Sequence, residues 1–286
     1  MLWTREFRGK TVVVTGASSG IGKATALAFG ALGARVALIA RRRAVLDEVA
    51  KEIATRGAET LVVPTDVTRE PAVRAAFRTI AERFGAIDVV VSNAGVLIPA
   101  PVAEMRAADL RAMIQVNLFG AVFVMQHAVA RMREQARGGC IVNVASLGGR
   151  RGVSPIGGYC ATKFALVGVT EALRIELRGT RIHVALVMPG VIETPMADRA
   201  AESELDVWPA ALNMPTAWVV WAILAAARFR LVELSVPPGA ATLEKLASLV
   251  PGLTDSAIHW GTTATRFLTD LVEGKRARKG APAKRD

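Results

Sequence analysis

The chain has 286 residues, 52% of them hydrophobic and only 5% aromatic, with a formal net charge of +11. That length suits a single α/β unit with a sizeable core, and the basic balance suits a polyanionic ligand. No run of 18 apolar residues occurs, and the N-terminal MLWTREFRGK lacks the apolar core of a signal peptide, so a soluble, cytoplasmic protein is expected.

Apolar, β-branched runs recur along the first two thirds. KTVVVTG (10–16) predicts a strand, followed by a helical pattern over 21–32. ARVALIA (34–40) predicts the second strand, before a helix over about 44–55. TLVVPTD (60–66), IDVVVSNAG (87–95), GCIVNVAS (139–146) and RIHVALVMPG (181–190) continue the series, and LVELSVPPG (231–239) adds one more strand. Strands separated by helix-length crossovers run parallel, and such crossovers are right-handed. The expected fold is therefore α/β, a Rossmann-type doubly wound parallel sheet with helices on both faces.

TGASSGIG (15–22) lies between the first strand and the first helix. Glycines at 16, 20 and 22 permit a tight turn and a close backbone approach, and the helix N-terminus then faces a pyrophosphate. The spacing is G-x-x-x-G-x-G, not G-x-G-x-x-G. At the end of the second strand stand Arg41, Arg42 and Arg43, with no acid until Asp47. A carboxylate there would bind the ribose 2′-hydroxyl of NAD, whereas a guanidinium accommodates the 2′-phosphate of NADP. NADP(H) is favoured over NAD(H).

Tyr159 is the only tyrosine, and Lys163 follows one helical turn later. An ordinary phenol titrates near a pKa of about 10, and a nearby cation brings that value closer to working pH. Positions i and i+4 share a helix face, so Lys163 is placed to do this. Ser146 ends the fifth strand at the edge where open α/β sheets bind ligands.

Together these motifs, spread over residues 10–194, resemble the short-chain dehydrogenase/reductase family in its single-domain branch. In that resemblance Asn117, Ser146, Tyr159 and Lys163 fill the catalytic tetrad. Gly16, Ser18, Ser19, Gly20, Ile21 and Gly22 look like the family's cofactor turn. Asp66 and Val67 resemble its adenine contacts, and Asn93, Ala94 and Gly95 its fourth-strand motif, with Ser92 in place of a frequent asparagine. PGVIET resembles the segment that holds the nicotinamide amide, through Pro189, Gly190, Ile192 and Thr194. The resemblance implies that Tyr159 exchanges a proton with the substrate oxygen. Lys163 would lower its pKa and hold the nicotinamide ribose. Ser146 would bind the substrate oxygen, and Asn117 would support a water-linked relay. The family's habit implies a homodimer or homotetramer built on helices around 110–133 and 159–178.

The segments 96–101 and 147–158, with Met196, Leu205, Val207, Trp208, Leu212 and Met214 beyond Thr194, suggest an apolar pocket for a steroid-, lipid- or terpenoid-like carbonyl or alcohol. Residues 1–240 are expected to form the dinucleotide-binding and catalytic domain. Residues 241–272 would form a helical extension packed on it, with helical patterns on either side of Pro251. Residues 273–286 would form a basic, disordered tail. That tail has no interleaved aromatics for base stacking, so nucleic acid is not expected. Trp218 and Trp221 read as packing on the core or at a subunit contact, the alternative being a peripheral membrane contact aided by the tail. Cys140 and Cys160 read as buried thiols in a reducing compartment, and His127, His183 and His259 lack metal spacing. Two other readings stay open: an NAD-dependent alcohol dehydrogenase, and a regulatory dinucleotide-binding protein without useful turnover.

Overall fold

The structure is a computed structural model that describes residues 4–201, 213–256 and 260. It divides into two compact units, residues 1–241 and 242–286. In the second unit, Leu243, Leu246, Leu249, Val250 and Leu253 are exposed. His259, the expected tail, and Leu205, Val207, Trp208 and Leu212 lie outside the described residues.

The first unit begins with the short helix α1 (Thr4–Phe7), followed by β1 (Thr11–Thr15), α2 (Gly20–Ala31), β2 (Arg35–Ala40), α3 (Arg43–Ala54) and β3 (Thr60–Pro64). The order continues with α4 (Glu70–Phe84), β4 (Val89–Ser92), α5 (Ala107–Ile114), α6 (Ala121–Arg133) and β5 (Gly139–Val144). It closes with α7 (Gly157–Glu176), β6 (Ile182–Pro189), α8 (Pro195–Ala201), α9 (Thr216–Phe229), β7 (Glu233–Val236) and α10 (Ala240–Ala247), the last crossing into the second unit. The seven strands form one parallel sheet in the order β3-β2-β1-β4-β5-β6-β7. Each predicted strand is present, and the helices expected at 21–32 and 44–55 begin and end one residue earlier.

Alternation along the strands explains the layers. Val13, Ile39, Val90, Ile141 and Leu186 join Phe77, Ile80, Met125 and Leu166 of α4, α6 and α7 in one cluster. Val14, Leu38, Val91, Val142 and Val187 join Phe29, Leu46, Ile53 and Ile223 of α2, α3 and α9 in another. Burying a side chain of this size contributes about 1.5–3 kcal/mol, so both faces of the sheet are tied down. The helical stretch Ala107–Arg133 is long and apolar enough to cross a membrane, but 44% of its apolar window is buried. Val124, Met125, Ala128 and Met132 belong to the core, which makes it a core helix.

Strand order reverses between β1 and β4, which pair in register from Val12 with Val89 to Val14 with Val91. Chains leaving these two strands diverge and open a crevice at their C-terminal ends. The residues singled out in the sequence converge there.

Candidate active site

The glycine turn is built by steric necessity. Gly16 has φ 68° and Gly20 φ 51°, backbone angles that favour glycine. A Cβ on Gly22 would stand 2.2 Å from the Gly16 carbonyl oxygen and 2.7 Å from Asn93 Nδ2. Asn93 in turn donates from Nδ2 to the Thr15 carbonyl (3.0 Å), while the amides of Asn93 and Ala94 donate to Thr15 Oγ1 at 2.9 and 3.1 Å. The fourth-strand NAG segment is thus clamped against the first turn. Lys23 donates the first intrahelical bond, to the Ser19 carbonyl at 3.1 Å. The amides of Ser18 to Gly22 have no protein acceptor among the described residues, as helix geometry requires of a first turn.

These amides face a cavity of about 480 Å³. Of the cofactor residues expected from the sequence, it brings together Gly16, Ser18, Ser19, Gly20, Ile21, Arg41, Arg42, Asp66, Val67, Asn93, Ala94, Gly95 and Thr194. Gly22 is not at its wall but packs beneath the turn. Pro189, Gly190 and Ile192 also lie off the wall, as do Tyr159 and Lys163. The Gly190 amide donates to the Val236 carbonyl at 2.7 Å and Ile192 bridges to Met214, so this stretch acts as the mount for Thr194. A Cβ on Gly20 would meet Thr194 Cγ2 at 3.2 Å, which sets the threonine directly across from the glycine turn. Sequence reasoning missed Ala40, Thr65, Val116, Pro195 and Arg199 at this wall; most carry no polar side chain, and only the charge of Arg199 left a signal.

A dinucleotide fits these residues. The turn leaves no room for a Cβ, its first-turn amides are unpaired, and cations stand at the end of β2. Arg43 pairs with Asp47 at 3.8 Å, while Arg41 and Arg42 make no ion pair among the described residues. Asp66 Oδ1 accepts from the Thr68 amide (3.0 Å) and hydroxyl (2.8 Å). Burial pushes this carboxyl up, but those two bonds and the charges of Arg41 and Arg69 bring it below the ordinary aspartate value.

Beside the cavity, α7 carries Tyr159 and Lys163. Lys163 Nζ donates to the Val144 carbonyl at 3.0 Å, would lie 3.8 Å from a Cβ on Gly95, and stands 5.6 Å from the centre of the Tyr159 ring. Burial brings its ammonium down to about 8. Burial also pushes the Tyr159 phenol up to about 12, against the lowering effect of its hydrogen bond with Ser146. Desolvation thus drives both groups toward neutrality. Ser146 Oγ accepts from the Gly148 amide at 3.0 Å, which leaves its hydroxyl hydrogen for an oxygen acceptor.

Asn117 sits in a π-helical turn, Gln115–Gly120, between α5 and α6. Its Oδ1 accepts from the Val96 amide (2.8 Å), and its Nδ2 donates to the Val96 carbonyl (2.9 Å) and to Thr162 Oγ1 (3.0 Å). The side chain ties the loop after β4 to α7. Around Tyr159, Met113, Ile156, Cys160 and Ala200 form an apolar cluster, with Val96, Leu97, Ile98, Met105 and Val153 packed against it. The two segments expected to line the substrate pocket meet here, and the Ala100 amide donates to the Pro155 carbonyl at 2.8 Å.

The remaining candidates lie elsewhere. Cys140 and Cys160 are buried and unpaired. His127 contacts Glu70 at 2.7 Å, and His183 contacts the Leu231 carbonyl at 3.1 Å. Trp218 and Trp221 are 51% and 56% exposed, which takes them off the core and leaves the subunit-contact and membrane-contact readings of them. Their neighbours Val219, Ala222 and Ile223 take the buried face of α9 instead.

Known proteins share this arrangement. The sequence pattern described as short chain dehydrogenase matches residues 10–205. A 3-oxoacyl-(acyl-carrier-protein) reductase of Thermotoga maritima is 38% identical over 194 residues, 68% of this chain and 78% of that protein. An uncharacterized oxidoreductase of Bacillus subtilis, YxnA, is 34% identical over 256 residues, 88% of this chain and 72% of that protein. The crystal structure of a short-chain dehydrogenase/reductase from Burkholderia phymatum in complex with NAD superposes with a TM-score of 0.78 at 26% identity, covering 87% of this chain and 96% of that one. With its parallel sheet, glycine turn and matched span, this chain belongs to the short-chain dehydrogenase/reductase family and is an oxidoreductase acting on carbonyl and alcohol groups.

Proposed function

We propose that the protein is an NADP(H)-dependent oxidoreductase that interconverts an apolar ketone or aldehyde with its alcohol. The observation that carries this reading is the grouping of Ser146, Tyr159 and Lys163, with Lys163 against Gly95 at the cavity wall. The bound nicotinamide supplies or accepts the hydride. Tyr159 gives its phenolic proton to the carbonyl oxygen in reduction and takes it from the alcohol in oxidation. Ser146 donates its hydroxyl hydrogen to the same oxygen as negative charge develops. Lys163, held by the Val144 carbonyl, would stabilise phenolate character on Tyr159 and hold the nicotinamide ribose when the nucleotide is bound. Asn117 positions the Val96 loop against α7, and the second lone pair of its Oδ1 is left for a relay water.

Arg41 and Arg42 favour a 2′-phosphate, since no carboxylate occupies the end of β2. The apolar cluster around Tyr159 favours a lipid-, steroid- or terpenoid-like substrate over a charged sugar acid. Phe119 and Phe164, each 44% exposed, support a homo-oligomer assembled on the helices around 110–133 and 159–178. Buried, unpaired cysteines fit a reducing compartment, and we assign the protein to the cytoplasm.

The test is a titration with NADPH and NADH, read by nicotinamide fluorescence, in the wild type and in Tyr159→Phe. Tight NADPH binding in both, with turnover of a carbonyl panel falling by about 10²-fold or more in the variant, is expected. Binding without wild-type turnover across polar and apolar carbonyls and alcohols would favour the regulatory reading.

A further inference from the structure

Helix α8 supplies a cavity wall whose chemistry the tetrad and the glycine turn do not use. Pro195, Met196 and Arg199 line the cavity, and their spacing of three and four residues sets them on one helical face. The roll of the helix is fixed from behind, because Ala197 and Ala200 are buried and Ala200 belongs to the apolar cluster at Tyr159. Its start is fixed by Thr194, whose Oγ1 accepts from the Ala197 amide at 3.3 Å and whose methyl lies against the Gly20 position. Arg199 therefore enters the cavity from the side of the glycine turn, together with Thr194, while Arg41 and Arg42 enter at the end of β2.

The charge balance at this wall is one-sided. Among the described residues, Arg41, Arg42 and Arg199 line the cavity against Asp66 alone, and Asp66 already accepts two bonds from Thr68. Such a cavity suits a ligand carrying several negative charges.

We propose that Arg199 is a phosphate-binding residue, whose guanidinium contacts the pyrophosphate bridge of the dinucleotide. The assignment rests on the dinucleotide reading of the cavity and extends it to α8. Because the bridge is common to both nucleotides, this contact is blind to the 2′-phosphate, unlike the contacts assigned to Arg41 and Arg42. Its exposure makes it dependent on ionic strength.

The experiment measures dissociation constants for NADPH, NADH and adenosine 2′-monophosphate in the wild type, Arg199→Gln and Arg199→Lys. Loss of one exposed charge-assisted contact should weaken NADPH and NADH by matching factors of about tenfold in Arg199→Gln. The lysine variant should recover part of that loss, and raising the salt should narrow the gap. Adenosine 2′-monophosphate, which lacks the bridge, should bind the variants as it binds the wild type. Unchanged NADPH and NADH affinities would overturn the proposal. So would a loss confined to NADPH, which would assign Arg199 to the 2′-phosphate, or an equal loss of adenosine 2′-monophosphate, which would mark a structural role. A wild type that binds none of the three would instead overturn the dinucleotide reading itself.

Discussion

Lys163 Nζ lies 5.6 Å from the centre of the Tyr159 ring, and burial moves the two groups in opposite directions, the ammonium down to about 8 and the phenol up to about 12. The pair is thus stored as a neutral phenol beside a partly charged amine.

That state predicts a pH profile. Alcohol oxidation needs the phenolate, so its kcat/KM should keep rising between pH 8 and 10, below the phenol's value of about 12. Carbonyl reduction uses the protonated phenol and should stay level over the same range. An oxidation profile that flattens near neutral pH would show that nucleotide binding draws the phenol far down.

The same burial predicts a stability effect at Lys163. Its pKa falls from 10.5 in the unfolded chain to about 8 in the fold, so the unfolded state binds more protons between those values. Stability from this group therefore rises with pH from about 8 to 10.5, and below pH 8 the full penalty, of order 3 kcal/mol, applies. Lys163→Met removes the penalty but also the bond to Val144, which is worth about 1 kcal/mol. Denaturant unfolding at pH 7 should show the variant more stable by about 1–2 kcal/mol, with the gain shrinking toward pH 10 and turnover lost.

At the end of β2, Arg41→Asp should place a carboxylate against the 2′-phosphate. NADPH affinity should fall by about 100-fold or more, the worth of a bidentate guanidinium contact, while NADH affinity holds or improves. Equal affinities for both nucleotides in the wild type, unmoved by the substitution, would return the NAD-dependent reading.

Beneath the glycine turn, Gly22→Ala would press a methyl to 2.2 Å from the Gly16 carbonyl oxygen. Neither the backbone of Gly16 nor the clamped Asn93 can yield cheaply. A loss of about 1–3 kcal/mol in unfolding free energy is expected, together with weakened binding of both nucleotides. Thermal melts with and without NADPH separate the two effects, since a binding defect alone leaves the nucleotide-free melt unchanged.

By itself the sequence determined the sheet and the glycine turn, and it singled out Ser146, Tyr159 and Lys163. Strand runs such as TVVVT and helix-length spacers are local patterns, and parallel order with right-handed crossovers follows from them. Glycines at 16 and 20 are likewise legible, because the positive φ they adopt is a local demand, and Gly22 answers to the Gly16 carbonyl six residues before it. Tertiary structure alone decided how the functional side chains are used. Asn117 turns its amide to Val96 and Thr162, partners 21 and 45 residues away. Trp218 and Trp221 stay outside because Val219, Ala222 and Ile223 claim the face of α9 that meets the sheet. Arg199 gains its place from the burial of Ala197 and Ala200 behind it. The spacing of Tyr159 and Lys163 reveals that they share a helix face, but how water is excluded from them depends on segments far away in the chain. Desolvation is a property of the packed whole, and so the direction of both pKa shifts appears only there.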